Sequence, residues 1–292
     1  MTIPAGYDSR FVTANGVRHH VVSRGSGAPL VFLHGWPEFW RTWRPLMDRL
    51  SDRFTTIAPE WRGFGDSEKT SPGPAEDCAP DILATDLHAL LDALGLDRVG
   101  LVSHDVGAFA AQEFARRWPE RLSGLFFFDC PYPGIGARWA QGAQINEVWY
   151  QSFNQQPWAA ALVGASRGSC RTYIGHFLRH WAHDKGAFDG ELETWVDNFM
   201  KPGNLQGGFN WYRSINRARL AIMAGAGPTP PPIATRSRFL WGRRDPILRA
   251  AWTDRLHEFF TDYRLEFAEF AGHFPHVEAP DLAAGKIAAF FK

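Results

Sequence analysis

The stretch Ser103-His104-Asp105-Val106-Gly107 constrains the fold of this chain more than any other. The apolar run Val99-Gly100-Leu101-Val102 before it reads as a buried strand, and Ala108 to Phe114 after it reads as a helix. Strand, tight turn and helix hold the middle side chain out at the tip, with small residues at Ser103 and Gly107 where bulk would clash. That middle residue is Asp105. A serine there would attack an acyl carbon. A carboxylate instead displaces a leaving group from a saturated carbon and becomes an alkyl ester, which activated water can hydrolyse at the carbonyl carbon. The substrates to expect are epoxides or alkyl halides. Asp is also a common N-cap residue, so a merely structural Asp105 is the competing expectation.

At 292 residues the chain can form one large domain or a core with an inserted lid. Lys plus Arg equals Asp plus Glu at 31 each, so no global field draws in nucleic acid or an anionic membrane. The expected partner is a small molecule. Cys78, Cys130 and Cys170 are odd in number and widely spaced, which favours reduced buried thiols over a disulfide framework or a zinc site. No basic-then-apolar leader follows Met1 and no apolar run has the length of a membrane span, so a soluble cytoplasmic protein is the expectation. Thirteen Trp and 23 Phe suit an apolar pocket, although core packing accounts for most of them.

Phe11-Val12-Thr13 and Val17 to Val22 flank Asn15-Gly16, a strong hairpin signal. Strands are expected at Pro29–Leu33, Phe54–Ala58, Val99–Val102 and Leu125–Phe128, alternating with helices near Thr42–Leu50 and Ile82–Leu94. This alternation implies a parallel sheet covered on both faces. From about Gly134 to Ala224 the chain is rich in Trp, Gln, His and Arg and reads as helical without strands. Gly225 to Pro232, with Pro228, Pro230, Pro231 and Pro232, reads as a return linker. Strands resume at Arg238–Gly242 and Arg264–Phe267, and the last helix covers Leu282–Phe291.

His34-Gly35-Trp36-Pro37, Arg62-Gly63-Phe64-Gly65-Asp66-Ser67, Ser103 to Gly107, Trp241-Gly242-Arg243-Arg244-Asp245-Pro246 and Gly272-His273-Phe274 occur in this order. With these motifs the chain resembles the α/β-hydrolase superfamily, and its epoxide hydrolases in particular, over nearly its whole length. The resemblance implies a mostly parallel central sheet flanked by helices. It also implies a core of residues 1–133 and 225–292 with a helical lid at 134–224.

An aspartyl ester needs a base to activate water, and His is the side chain best poised near neutral pH. His273 matches the family's catalytic histidine; His276, three residues on, is its nearest competitor and is expected to support the loop, and the side chain of His104 should point away from that of Asp105. An acid must orient the imidazole. Asp245 fits the family order of nucleophile, acid and base. Asp129 is the rival, because some dehalogenases of the superfamily place the acid after the strand that follows the nucleophile. The backbone N–H groups of Trp36 and Val106 are expected to face the Asp105 oxygen, and the resemblance implies a cis bond between Trp36 and Pro37. Opening an epoxide creates an alkoxide that needs a proton donor. Tyr150 and Tyr212 lie in segments similar to those bearing the family's paired lid tyrosines, whereas Tyr132 and Tyr173 do not.

The expected activity is conversion of an apolar epoxide and water to a vicinal diol, with no cofactor and no metal. A homodimer remains open. Haloalkane dehalogenases typically carry Trp after the nucleophile, and fluoroacetate dehalogenases carry Arg one and four positions after it. Here those positions hold Val106 and Phe109. A non-catalytic ligand-binding protein of the same fold is the third alternative. His176, His180 and His183 lack the Glu and spacing of a metal motif.

Overall fold

The computed structural model describes residues 3–69, 78–227 and 229–292. Pro228 of the expected linker, and Met1 and Thr2 at the start, lie outside them. β1 (Asp8–Ala14) and β2 (Val17–Arg24) form the expected antiparallel hairpin. Its two turn residues have positive φ, 47° at Asn15 and 73° at Gly16, a conformation that Asn and Gly adopt at low cost.

β3 (Ala28–Leu33), β4 (Phe54–Pro59), β5 (Val99–His104), β6 (Leu122–Phe128), β7 (Ser237–Gly242) and β8 (Tyr263–Ala268) complete one sheet in the order β1-β2-β4-β3-β5-β6-β7-β8. Only the β1–β2 and β2–β4 pairs are antiparallel. Every residue of β5 is buried, as a strand covered on both faces requires. α1 (Arg44–Leu50), α2 (Pro80–Ala93) and α3 (Val106–Arg117) provide helical cover. The helix expected from Thr42 begins instead with a 3₁₀ turn, Trp40–Trp43. Pro45, which has no N–H to donate, sits in the first turn of α1 and sets its start there.

Between β6 and β7 come α4 (Gln144–Glu147), α5 (Trp149–Phe153), α6 (Ala159–Val163), α7 (Arg167–Trp181), α8 (Leu192–Phe199), α9 (Asn204–Ser214) and α10 (Asn216–Met223), with no strand among the described residues. α11 (Pro275–Glu278) and α12 (Pro280–Phe290) end the chain. The inserted helices rest on loops that leave the C-terminal ends of the strands. The Trp195 indole N–H donates to the Pro37 carbonyl at 2.9 Å, and the His273 amide donates to the Trp181 carbonyl at 2.9 Å. A Cβ on Gly207 would lie 1.8 Å from the Gly63 carbonyl oxygen, so α9 docks backbone to backbone on the Arg62–Ser67 loop. No described helix is long and apolar enough to cross a membrane. Cys78, Cys130 and Cys170 are buried.

Candidate active site

Asp105 stands between the end of β5 and the start of α3 with φ 44° and ψ −114°. A non-glycine residue keeps such a conformation only where its surroundings over-determine it. Here they do, because a Cβ on Gly107 would lie 2.1 Å from the Leu33 carbonyl oxygen, and Ser103 is fully buried. The Asp105 carboxylate makes no capping bond to α3. Its Oδ2 instead accepts the Trp36 amide at 3.1 Å, and the Trp36–Pro37 bond is cis. Val106 opens α3, so its amide is one of those an α-helix cannot satisfy internally. Burial pushes the Asp105 carboxyl upward from the usual carboxylate range, opposed by His273, His104 and the Trp36 amide.

His273 follows β8, and its Nδ1 lies 2.8 Å from Asp245 Oδ2. Asp245 Oδ1 accepts the amides of Ile247 at 2.7 Å and Leu248 at 3.0 Å, which leaves Oδ2 to the imidazole. Both side chains are buried. Burial alone would lower the His273 imidazole, but the charge and hydrogen bond of Asp245, with Asp105 behind them, raise it above its ordinary value. Nε2 of His273 is buried and has no partner among the described residues. Asp129, at the end of β6, makes no hydrogen bond to His273; its carboxylate accepts the Gly242 amide at 3.0 and 3.3 Å. Of the two acids left open by sequence, Asp245 is the one that touches the imidazole.

Sequence reasoning missed Glu38. It is fully buried, and its two oxygens gather His104 Nδ1 at 2.7 Å, His276 Nε2 at 2.9 Å, the Thr42 hydroxyl at 2.6 Å and the Gly35 amide at 2.8 Å. His104 also reaches the His273 carbonyl at 2.8 Å, turned away from the Asp105 carboxylate as expected. One carboxylate thus ties together the loop after β3, the elbow and the His273 loop. Burial opposes its charge, yet His104 and His276 hold the Glu38 carboxyl well below its usual range. The available signal was a lone acid directly after His34-Gly35-Trp36-Pro37 in a helical start; its buried partners come from 66 and 238 residues away.

Tyr150 on α5 and Tyr212 on α9 converge on Trp36. Tyr150 stacks on the indole at 5.3 Å between centroids, and Tyr212 meets it edge-on at 5.4 Å. The two phenols hydrogen-bond each other. Burial, followed by the Asp105 charge for Tyr150 and by Tyr150 and Asp105 for Tyr212, raises both above the ordinary phenol value. They therefore hold their protons at neutral pH. Phe177 and Trp181 complete an aromatic wall around Trp36. Tyr173 also packs on Trp36, but its hydroxyl bonds Asn154, and Tyr132 donates to the Trp252 carbonyl.

Among the described residues, three groups of side chains bring possible metal-ligand atoms within 4.8 Å of one another: Glu38, His104 and His276; His20, Glu60 and Asp66; and Asp129, Asp245 and His273. In the first and last these atoms are engaged in the bonds just described, and His20 bonds Glu60 at 2.8 Å. His180 pairs with Glu147 at 2.7 Å and stacks on His176.

A model of the alpha/beta hydrolase family matches residues 30–285. The chain belongs to this family. Within it, this α/β-hydrolase is 32% identical to a soluble epoxide hydrolase of Corynebacterium sp. (strain C12), over 95% of this chain and 94% of that protein. It is 44% identical to epoxide hydrolase 2 of Siraitia grosvenorii over 70% of this chain and 72% of that one. Among solved structures, the epoxide hydrolase CorEH without ligand superimposes with a TM-score of 0.83 at 28% identity, covering 98% of both chains.

Proposed function

We propose that the chain hydrolyses epoxides to vicinal diols through an ester on Asp105, beneath a helical lid formed by residues 134–224 on a core of residues 1–133 and 225–292. Asp105 attacks an epoxide carbon, and the C–O bond that breaks leaves an alkoxide. Tyr150 or Tyr212 gives it a proton. A phenol suits this task because it is neutral beforehand and acidic enough to protonate an alkoxide. His273 Nε2 then takes a proton from water, which attacks the ester carbonyl. Asp245 steadies the imidazolium, and the amides of Trp36 and Val106 receive the negative charge on the carboxyl oxygen. Collapse of that intermediate expels the diol oxygen, which takes the proton from the His273 imidazolium, and the proton left on the Asp105 carboxyl returns to the tyrosinate through solvent, restoring the site.

The observation that carries this reading is that both phenols rest on the one indole whose own amide holds the Asp105 carboxylate. It favours an epoxide over an alkyl halide, because a departing halide leaves no alkoxide to protonate, and Val106 and Phe109 offer no side-chain N–H to receive one. The aromatic wall matches an apolar substrate. A single turnover in heavy-oxygen water tests the scheme. The first diol released should be unlabelled while Asp105 gains the label; a labelled first diol over an unlabelled protein would overturn it.

A further inference from the structure

Asp129 is left without a task by the scheme above, yet it is fully buried and held at φ 37°, one of three non-glycine residues at positive φ among those described. One of its carboxyl oxygens, an oxygen of Asp245 and a ring nitrogen of His273 lie within 4.8 Å of one another, and its carboxyl is within hydrogen-bonding reach of that of Asp245. Two ionised carboxylates this close in a dry site repel strongly, so the pair holds one proton. The count of donors says which acid keeps it. Among the described residues Asp245 accepts three hydrogen bonds, from Ile247, Leu248 and His273, whereas Asp129 accepts only the shared amide of Gly242. The better-solvated Asp245 carries the charge.

We propose that Asp129 is a positioning residue whose carboxylic O–H donates to Asp245 and so sets how firmly that carboxylate grips His273. Burial first, then the charge of Asp245 and the hydrogen bond to it, push Asp129 far above the usual carboxylate range, in the same direction. Other charged groups face the pair. Glu278 on α11 and the neighbouring Cys130 thiol adjoin Asp129, with Arg116 behind that thiol. The charges of Asp105 and Glu38 act on His273, the His104 ring packs directly against it, and His276 packs on His104. None of these lies between the two acids as a donor to Asp245. A donor at this place draws charge from Asp245, leaving His273 less basic than a lone buried carboxylate would make it.

The proposal rests on His273 being the base, but its test does not need turnover. Ring-nitrogen NMR follows the protonation midpoint of His273 in the wild type, Asp129→Asn and Asp129→Gly proteins. Asn and Gly both tolerate the positive φ; Asn keeps a donor and Gly removes it. The midpoint should stay within a few tenths of a unit in Asp129→Asn and rise by about one unit in Asp129→Gly, as Asp245 regains its full charge. A fall of about a unit in Asp129→Asn would mean that Asp129 was an anion, and an unmoved midpoint in both would mean that it does not act on His273. Either result overturns the proposal. Failure to hydrolyse epoxides would leave these midpoints unchanged, so the two readings fail separately.

Discussion

The two sides of the site are built by different means. Below, Asp105 and His273 are fixed by hydrogen bonds from backbone amides and by the Glu38 network, all within loops at the ends of β3, β5, β7 and β8. Above, Tyr150 is placed chiefly by ring packing on Trp36, Phe177 and Trp181, and Tyr212 by packing on Trp36 and Tyr150. Hydrogen bonds fix an atom to a few tenths of an ångström and tolerate no change of chemistry, whereas apolar contact fixes a shape and tolerates repacking. The lower side should therefore decide whether the reaction runs, and the upper side how fast it starts and on what. The largest expected effect follows directly. His273→Gln should lower turnover by about 10⁴-fold while leaving alkylation intact, so that mass spectrometry finds substrate attached to Asp105. A free Asp105 in that variant would place the base elsewhere.

The upper side should fail by steps. Tyr150→Phe or Tyr212→Phe alone should slow alkylation by about 10-fold, because each phenol backs up the other, and the double variant by about 10² to 10⁴-fold. Ester hydrolysis, followed by the decay of the alkylated enzyme, should stay within about 2-fold, since the proposed scheme gives the tyrosines no part in that step. Equal losses in both steps would show that the tyrosines support the fold instead of donating a proton. A smaller effect should come from where α9 meets the core. Gly207→Ala would drive a Cβ against the Gly63 carbonyl and cost about 1–3 kcal/mol, lowering the melting temperature by several degrees. It should raise KM more than it lowers kcat, because α9 carries Tyr212 but no part of the lower side.

What could be read in the sequence divides along the same line. The elbow, the Asn15-Gly16 hairpin and the alternation of apolar runs are local patterns whose geometry is set within a few residues, and the strand ends fall within three residues of where these patterns put them. The pairing of Asp245 with His273 spans 28 residues and needed the parallel register of β7 and β8 to bring both strand ends together, which no local pattern encodes. Glu38 and the Asp129–Asp245 contact were harder still. Buried polar groups carry a sequence signal only through their partners, and these come from four different loops. The tyrosines were found through resemblance alone; nothing in the composition of residues 134–224 separates Tyr150 and Tyr212 from Tyr173, which packs on the same indole.

The smallest expected effects are those of pH, and they contrast two histidines on the same loop. His273 is raised above its ordinary value of 6.5, so it becomes a neutral base only as pH climbs past that higher midpoint. The acid limb of ester hydrolysis should accordingly lie above pH 6.5. The stability that His273 contributes is present below 6.5 and is lost as pH rises through its folded value. His276 runs the other way: burial, outweighing Glu38, pushes it down to about 4 from 6.5. The folded chain refuses there a proton that the unfolded chain takes, so stability falls as pH drops from 6.5 towards 4. Replacing this histidine by His276→Asn, which keeps an N–H facing Glu38, should reduce the slope of stability against pH in that window by up to about one proton. Denaturant midpoints at a series of pH values would measure it. An unchanged slope would mean that His276 already carries a proton in the folded state.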